Sequence, residues 1–313
     1  MTLRLSNPDG TDIGRFTFGT MQFGGRADAE QSRAMFDACC AAGITHFDTA
    51  YVYTDGASET LLGQMIASQR QQLTIATKAG YTGGAGAANI RAQFDMSRKR
   101  LDQDMVDLLY LHRFDPDTDL AETMECFAQL KDAGKIRYVG LSNFAAWQVM
   151  KAVRVAADFG LTIDALQPMY NLVKRQAEVE ILPMCADQGI SVFAYSPLGG
   201  GLLTGKYSHG GAAGRLSEDD RYASRYGAEW MAETAAELAR LGHQAGVDPA
   251  TLAVAWVAAS PFAPSPIISA RSPEQLAPSL AALTFDLPAQ LYARITALSQ
   301  TPPPATDRLE EVQ

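Results

Sequence analysis

The chain has 313 residues, 47% of them hydrophobic, and a formal net charge of −9. This length and hydrophobic content suffice for a large core and allow either two domains or one α/β barrel. The negative charge argues against a nucleic-acid-binding face, because phosphate binding needs clustered Lys and Arg. The N-terminal sequence MTLRLSNPDG has no apolar run of signal-peptide length, so we expect a cytoplasmic protein.

The predicted elements begin with a short β-hairpin, in which the turn sequence NPDG separates LRLS from DIGRF. Eight β-rich runs follow. They cover residues 16–20, 44–50, 73–78, 106–112, 136–143, 164–170, 190–197 and 265–270.

Helical sequences lie between these runs. We expect the first helix to stop at Gly43, the second to begin with Ser58 as its N-cap, and two later helices to end at Gly134 and Gly160. Strands and helices alternate with a period of roughly 30 residues as far as the seventh run, as in βα units.

This alternation predicts an α/β fold, a (β/α)₈ TIM barrel, with 1–313 as a single barrel domain. The rival, a doubly wound open sheet, usually carries GxGxxG after its first strand, and the sequence FGTMQFGGRA does not match. Residues 199–229 are glycine-rich and polar, and they predict a long loop after the seventh strand of the kind that often serves function.

Four chemically distinct side chains stand at three successive predicted strand ends. The barrel topology brings these ends to one face, where active sites lie. The residues are Asp48, Tyr53, Lys78 and His112.

This group suits carbonyl reduction. A positive charge on Lys78 should lower the pKa of Tyr53 and make it a usable general acid, while Asp48 holds the ammonium in place. His112 can then orient a substrate carbonyl oxygen. Each residue also has an ordinary interpretation: a turn carboxylate, a packed phenol, a solvated charge or a core histidine. Their occurrence together favours catalysis.

The later strand ends carry groups that suit one extended ligand. Ser142, Asn143 and Gln167 can pair with a carboxamide, and Tyr195 can stack on its ring. The glycine-rich turn that follows, with Lys206, can cradle a pyrophosphate. Arg271 precedes a predicted helix start and offers a further anion site, although it could equally be a solvated charge. This order outlines a nicotinamide dinucleotide.

The motifs FDTAYVYTDGASE, TIATK, DLLYLHR, GKIRYVGLSNF, YSPLGGGLLTGKY and ARSPEQL together resemble the aldo-keto reductases. The loop after the seventh strand is similar to that of the bacterial and potassium-channel β-subunit branches. The resemblance implies a metal-free barrel enzyme that uses NADPH, or less often NADH, with the group around Tyr53 as its catalytic tetrad.

The resemblance also implies cofactor contacts that chemistry alone did not assign. They comprise the segment under the nicotinamide ribose, the pyrophosphate loop and the adenosine end. The residues are Gly19, Thr20, Met21, Ser196, Leu198, Gly200, Ser269, Ser272 and Gln275. At the adenosine end, Pro278 and Ser279 stand where many members have Glu-Asn, and Ser269 replaces a common glycine.

Three functions can be considered for a chain with these residues. The first is an NADPH-dependent reductase that converts an aldehyde or ketone to an alcohol, with Tyr53 as general acid. The second is a cofactor-binding regulatory subunit that acts by protein contact. The third, a barrel aldolase or isomerase using a lysine Schiff base, is disfavoured because Asp48 would keep Lys78 charged.

The substrate and the oligomeric state are not readable from the sequence. Met21, Tyr81, Phe114 and Phe144 are expected to line the substrate pocket and to favour an apolar or aromatic carbonyl compound, although each could equally be barrel packing. We expect a small-molecule substrate and neither nucleic acid nor a membrane as partner. The four cysteines lie in apolar helical sequence and form no Cys/His cluster, so we expect buried free thiols and no metal site.

Overall fold

Eight parallel strands form a closed barrel in which each strand pairs with its neighbours in chain order, and β1 pairs with β8. The structure is a computed structural model that describes residues 5–207, 218–308 and 310. The strands are β1 Thr17–Gly19, β2 His46–Asp48, β3 Thr74–Ala79, β4 Val106–Leu111, β5 Ile136–Ser142, β6 Ala165–Gln167, β7 Ser191–Tyr195 and β8 Ser265–Ile268. Seven of these strands fall within the predicted runs, β3 extends one residue beyond its run to Ala79, and the barrel is confirmed.

The helices of the described residues surround the barrel. They are α1 Ala29–Ala41, α2 Ala57–Ile66, α3 Ala87–Leu101, α4 Leu120–Asp132, α5 Ala146–Ala157, α6 Ile181–Gln188, α7 Asp220–Tyr226, α8 Glu229–Ala245, α9 Pro249–Ala258, α10 Pro273–Ala281 and α11 Ala289–Thr296. Short 3₁₀ turns cover Tyr53–Gly56, Arg70–Gln72, Gln176–Glu178 and Gly199–Thr204.

Helix boundaries follow local chemistry. Asp28 caps α1 by accepting a hydrogen bond from the Gln31 backbone N–H, and Gly43 follows the helix with a φ of 82°, as expected for a helix-ending glycine. Ser272 caps α10 and Pro273 opens it, as predicted. The prediction for Ser58 was wrong: α2 begins at Ala57 after the left-handed Gly56, and Ser58 lies inside the helix.

The strand register stacks the interior side chains in layers of four, each from alternate strands. The lower layer holds Thr17, Ala76, Gly140 and Phe193. The middle layer holds Asp48, Tyr110, Gln167 and Ile267. The upper layer holds Gly19, Lys78, Ser142 and Tyr195. Polarity therefore increases toward the C-terminal ends of the strands, while the larger apolar core lies between strands and helices.

The N-terminal segment closes the opposite end of the barrel. The predicted hairpin is reduced, among the described residues, to one antiparallel bridge between Ser6 and Asp12. Arg137 donates to the Ser6 carbonyl at 3.0 Å, and the Ser6 backbone N–H donates to the Tyr138 hydroxyl at 3.2 Å. These contacts fasten Ser6 beneath β5.

The predicted long loop, 199–229, contains more regular structure than expected. It begins with the 3₁₀ turn after β7, includes α7, and ends as α8 begins at Glu229. Residues 208–217 of that loop lie outside the described residues. No described helix has the length and apolar character needed to cross a bilayer.

Candidate active site

Lys78 and Asp48 form a buried ion pair at the upper end of the barrel. The Lys78 ammonium donates to the Asp48 carboxylate, to the Thr49 carbonyl at 2.8 Å and to the Tyr53 hydroxyl at 3.3 Å. Gln167 reaches across from β6 and donates to the other Asp48 oxygen at 2.9 Å. The structure thus brings together the carboxylate, ammonium and phenol of the predicted group.

An unusual turn, and not a strand, places the Tyr53 hydroxyl against the Lys78 ammonium. Thr54 and Asp55 have φ values of 46° and 53°, and Gly56 follows at 95°. Three successive left-handed residues are costly unless side chains fix them. The Thr54 hydroxyl does so by donating to the Phe23 carbonyl at 2.8 Å and accepting from the Ser58 backbone N–H at 3.0 Å.

The electrostatics of this group differ from the sequence prediction in one respect. We expected Lys78 to lower the pKa of Tyr53, but desolvation outweighs the ammonium and raises that pKa above its ordinary value. Desolvation alone would lower the pKa of Lys78, but Asp48 and Tyr53 together raise it. The ammonium therefore stays charged at neutral pH, and the phenol keeps its proton.

His112 lies between two tyrosines. Its ring is 6.1 Å from that of Tyr53 and 4.8 Å from that of Tyr81, measured between centroids. Burial, together with the charges of Lys78 and Arg113, lowers the pKa of His112 to about 3, so the imidazole is neutral. Its Nδ1 is buried without a hydrogen-bond partner among the described residues. A neutral imidazole at this position can donate one hydrogen bond to a ligand.

The predicted carboxamide contacts also converge, but most of their polar atoms already have protein partners. Asn143 has a φ of 59°, and its amide donates to the His112 carbonyl at 3.0 Å and accepts from the Tyr195 hydroxyl at 2.7 Å. Ser142 donates to the Gln167 carbonyl at 3.2 Å. Asn143 thus links β5, β4 and β7, which sequence reasoning did not foresee.

The segment predicted beneath the nicotinamide ribose packs tightly. A Cβ on Gly19 would lie 2.9 Å from a methyl group of Ile267, so a larger residue would require Ile267 to shift. Thr20 is buried and its hydroxyl lies 2.8 Å from that of Ser58, which is why Ser58 faces inward. Met21 is partly exposed.

The predicted pyrophosphate loop follows β7. Ser196 and Gly199 to Gly201 have φ values between 57° and 98°, a run of left-handed backbone. A Cβ on Gly200 would lie 2.7 Å from the ring of Tyr222. Leu198 is partly buried and Lys206 is exposed, with its ammonium 4.7 Å from the Tyr207 ring.

The predicted adenosine end lies at the start of α10. Arg271 is partly exposed and forms no ion pair with any carboxylate of residues 5–207, 218–308 and 310. Gln275 donates its backbone N–H to the Ser272 hydroxyl at 3.4 Å. The Ser269 hydroxyl is buried and has no partner among the described residues. Pro278 and Ser279 are within α10, and Ser279 is buried.

These donors fit a nicotinamide dinucleotide. The uncommitted oxygen of the Gln167 amide and the unpaired Ser269 hydroxyl can take part in hydrogen bonds with it. The side-chain-free glycines after β7 permit close approach of backbone N–H groups to phosphate. Arg271 lies beside a helix N-terminus and can supply charge for a further phosphate.

The residues predicted to line the substrate pocket differ in their exposure and in their neighbours. Tyr81 is 40% exposed beside His112, whereas Phe144 is buried against Phe114, with ring centroids 5.5 Å apart. Sequence reasoning missed Trp147, which is 62% exposed and 5.7 Å from Phe114, and Arg113, whose guanidinium lies 4.9 Å from the Tyr81 ring. The aromatic residues that follow the sequence GLSN could have indicated Trp147 as a further candidate.

No group of His, Cys, Asp and Glu in the described part of the chain could hold a metal ion. Cys39, Cys126 and Cys185 are buried free thiols, as predicted, whereas Cys40 is only partly buried. Desolvation raises the pKa of Cys40 to about 11, so it carries little thiolate at neutral pH.

Comparisons with known proteins agree with this geometry. The model of the aldo/keto reductase family matches residues 15–300. The chain is 39% identical to aflatoxin B1 aldehyde reductase member 2 of Rattus norvegicus over 206 residues, which are 64% of this chain and 56% of that protein. The chain thus spans little more than half of the length of this rat relative.

Two relatives match almost throughout. An uncharacterized oxidoreductase of Bacillus subtilis (strain 168), YrpG, is 31% identical over 314 residues, 94% of each chain. A probable voltage-gated potassium channel subunit beta of Oryza sativa subsp. japonica is 31% identical over 320 residues, 95% of this chain and 96% of that protein.

Proposed function

The chain belongs to the aldo/keto reductase family, and from this premise we propose that it is an NADPH-dependent reductase of an aldehyde or ketone with Tyr53 as proton donor. The observation that carries the proposal is the contact of the Tyr53 hydroxyl with the Lys78 ammonium, which is itself held by buried Asp48. We also propose that residues 1–313 are a single barrel domain of a cytoplasmic protein.

The proposed mechanism assigns one task to each side chain. The cofactor, when bound, supplies a hydride to the carbonyl carbon. Tyr53 donates its proton to the carbonyl oxygen, which gains negative charge as the carbon is reduced, and Lys78 stabilises the phenolate that remains. His112, being neutral, donates a hydrogen bond that fixes the direction of the carbonyl. Asp48 keeps the ammonium charged and in place.

The proposed cofactor contacts extend along the strand ends from β5 to α10. Ser142, Asn143 and Gln167 would hold the carboxamide end, and Tyr195 would contact its ring. The backbone from Ser196 to Gly200, with Leu198 and Lys206, would bind the pyrophosphate. Arg271, with Ser269, Ser272 and Gln275, would bind the phosphate that distinguishes NADPH from NADH.

A panel of aldehydes, ketones and sugars, assayed with NADPH and NADH, tests the activity. We expect turnover of at least one carbonyl compound with NADPH. The similarity to a channel subunit supports a second candidate, a cofactor-binding regulatory subunit. Tight cofactor binding without turnover of any carbonyl compound would favour that candidate.

Fluorescence titration of both cofactors tests the assignment of Arg271. A charge-assisted hydrogen bond contributes about 1.5–3 kcal/mol, or roughly tenfold to a hundredfold in affinity. Arg271→Ala should weaken NADPH binding by about that factor and leave NADH binding nearly unchanged. Arg294→Ala, at an exposed arginine of α11, is the control and should affect neither. An equal loss for both cofactors would place Arg271 on their shared part.

A further inference from the structure

Arg100 lies in the last turn of α3, and the proposed mechanism does not use it. Its guanidinium reaches the turn that carries Tyr53, where it donates to the Tyr51 carbonyl at 2.9 Å and lies 4.7 Å from the centre of the Tyr51 ring. It also forms an ion pair at 3.2 Å with Glu59, a fully buried carboxylate of α2. One side chain of α3 thus binds both the backbone just before Tyr53 and the helix just after it.

The other oxygen of Glu59 contacts the strand that carries Lys78. It accepts from the Thr77 hydroxyl at 2.6 Å, and Thr77 directly precedes Lys78 on β3. Because successive side chains of a strand point to opposite faces, Thr77 faces α2 while Lys78 faces the barrel interior. The backbone adds a second link, since the Tyr51 N–H donates to the Lys78 carbonyl at 3.1 Å. The pair of Arg100 and Glu59 therefore connects the strand of the ammonium to the turn of the phenol on the outer side of the barrel.

The turn that follows Tyr53 needs such support. The left-handed conformations of Thr54 and Asp55 cost free energy and persist only where the surrounding contacts determine them. The Thr54 hydroxyl holds the middle of the turn. A Cβ on Gly56 would lie 2.4 Å from the guanidinium carbon of Arg100, so the guanidinium fills the space beside this glycine. Arg100 thus lies against the last residue of the turn and binds the backbone just before its first.

We propose that Arg100 is a positioning residue: by holding Tyr51 and Glu59 together, it sets the place of the Tyr53 hydroxyl relative to the Lys78 ammonium. This inference rests on the proposed function of the same site. The hydroxyl and the ammonium are 3.3 Å apart, which is already long for a hydrogen bond. A small outward movement of the turn would therefore break the contact on which the proposed proton transfer depends.

Arg70 offers a matched control at the opposite end of the barrel. Like Arg100, it forms an ion pair with a fully buried carboxylate, that of Asp107 at 2.9 Å, and it donates to a backbone carbonyl, that of Leu73 at 2.8 Å. Leu73 lies directly before β3, at the end of that strand remote from Lys78. Substitution of either arginine by alanine removes similar contacts, and the two variants differ in which end of the barrel loses them.

The test is kcat for carbonyl reduction, with cofactor affinity from fluorescence titration, in wild type, Arg100→Ala and Arg70→Ala. We expect kcat of Arg100→Ala to fall by about tenfold to a hundredfold, because a misplacement of about 1 Å can cost about 10²-fold in rate. Its cofactor affinity should stay near the wild-type value. Arg70→Ala should lower the free energy of unfolding and leave kcat near that of wild type. A wild-type kcat in folded Arg100→Ala, or an equal fall of kcat in both variants, would overturn the inference.

A double variant covers the case in which Arg100→Ala does not fold. That substitution leaves the Glu59 carboxylate buried without its cation, which is strongly destabilising. Glu59→Gln combined with Arg100→Ala removes the buried charge, and the glutamine oxygen can still accept from Thr77. The double variant should fold and show the same fall in kcat. A wild-type kcat in this variant would equally contradict the proposed role of Arg100.

Hydrogen exchange separates this inference from the proposed function. If wild type reduces no carbonyl compound, the proposed function fails, and exchange of the Tyr51 and Tyr53 backbone N–H groups, measured by NMR, still tests Arg100. Both groups donate to backbone carbonyls, at 3.1 Å and 3.0 Å, so both should exchange slowly in wild type. Arg100→Ala should speed their exchange, whereas Arg70→Ala should not. Unchanged exchange at both groups in Arg100→Ala would show that Arg100 does not hold the turn.

Discussion

Asp48 and Asp107 are both buried carboxylates, but they lie at opposite ends of the barrel and are held differently. Asp107, near the start of β4, forms an ion pair with Arg70 at 2.9 Å and accepts hydrogen bonds from Arg137 at 3.0 Å and from the Ile75 backbone N–H at 2.8 Å. Two guanidinium groups thus surround one carboxylate. Its hydrogen-bonding capacity is directed entirely to neighbouring elements of the fold.

Asp48 is held by one ammonium and one amide, and some buried polar atoms near it lack hydrogen-bond partners among the described residues. The Tyr110 hydroxyl and His112 Nδ1, both buried nearby, have no partner among the described residues. Lys78 divides its hydrogen bonds between Asp48, Thr49 and Tyr53. The ion cluster around Asp107 therefore stabilises the barrel, whereas polar atoms near Asp48 stay available for hydrogen bonds with a ligand.

Tyr53→Phe should produce the largest effect at the upper end. The substitution keeps the ring and removes the proposed proton donor, so kcat for carbonyl reduction should fall by about 10²–10⁴-fold. Cofactor affinity, measured by fluorescence titration, should remain close to that of wild type. A variant that keeps most of the wild-type kcat would show that another group donates the proton.

Asp107→Asn should affect the lower end alone. Removing one member of a buried ion cluster leaves uncompensated charge and costs about 3–5 kcal/mol; Arg70 and Arg137 keep some contact with water, so we expect about 3 kcal/mol. Urea unfolding measures this loss. The kcat of the folded variant should stay near the wild-type value.

Asp48→Asn is the counterpart of that variant at the upper end. Lys78 would then be fully buried without its carboxylate, so kcat should fall together with stability. The contrast between ends would disappear if Asp107→Asn also reduced the kcat of folded protein, or if Asp48→Asn left kcat unchanged.

The last expected effect concerns the pH dependence of stability, through two buried histidines, His112 above and His46 below the middle layer. Burial, with the charge of Lys78, lowers the pKa of each to about 3. A lowered pKa contributes stability that is complete above the unfolded value near 6.5 and is lost as the pH falls toward 3, at about 1.4 kcal/mol per pH unit for each histidine.

Replacing either histidine by Asn should remove that histidine's contribution to the pH dependence of the unfolding free energy. Unfolding free energies measured between pH 4 and about 7 would show it. His243→Asn, at an exposed histidine of α8, should leave the slope unchanged. Equal slopes in all variants would mean that the buried histidines do not govern acid unfolding.

The sequence indicated the barrel and the assembly of the four side chains because both depend on strand order. Lys78 lies in the run TIATK and His112 directly follows the β4 strand, so a parallel barrel brings their ends together. Ser272 was recognisable as a cap because Pro273 follows it. Such signals are local, and the barrel topology then determines which residues come into contact.

The remaining features depend on contacts between distant segments. The bond from Gln167 to Asp48 joins residues 119 positions apart across the barrel, and no local pattern encodes it. Ser58 resembled a cap, but the buried hydroxyl of Thr20 draws it inward. The pKa of Tyr53 was predicted with the wrong sign because the sequence shows the neighbouring charge and not the extent of desolvation.

The fastening of Ser6 to Tyr138 and Arg137 has a consequence for the order in which the chain acquires its structure. These partners are separated by more than 130 positions, so Ser6 has no docking site until β5 has been synthesised. Contacts of such long range form slowly, because the intervening chain must first be ordered. The lower end of the barrel is therefore sealed only after more than half of its wall has been synthesised.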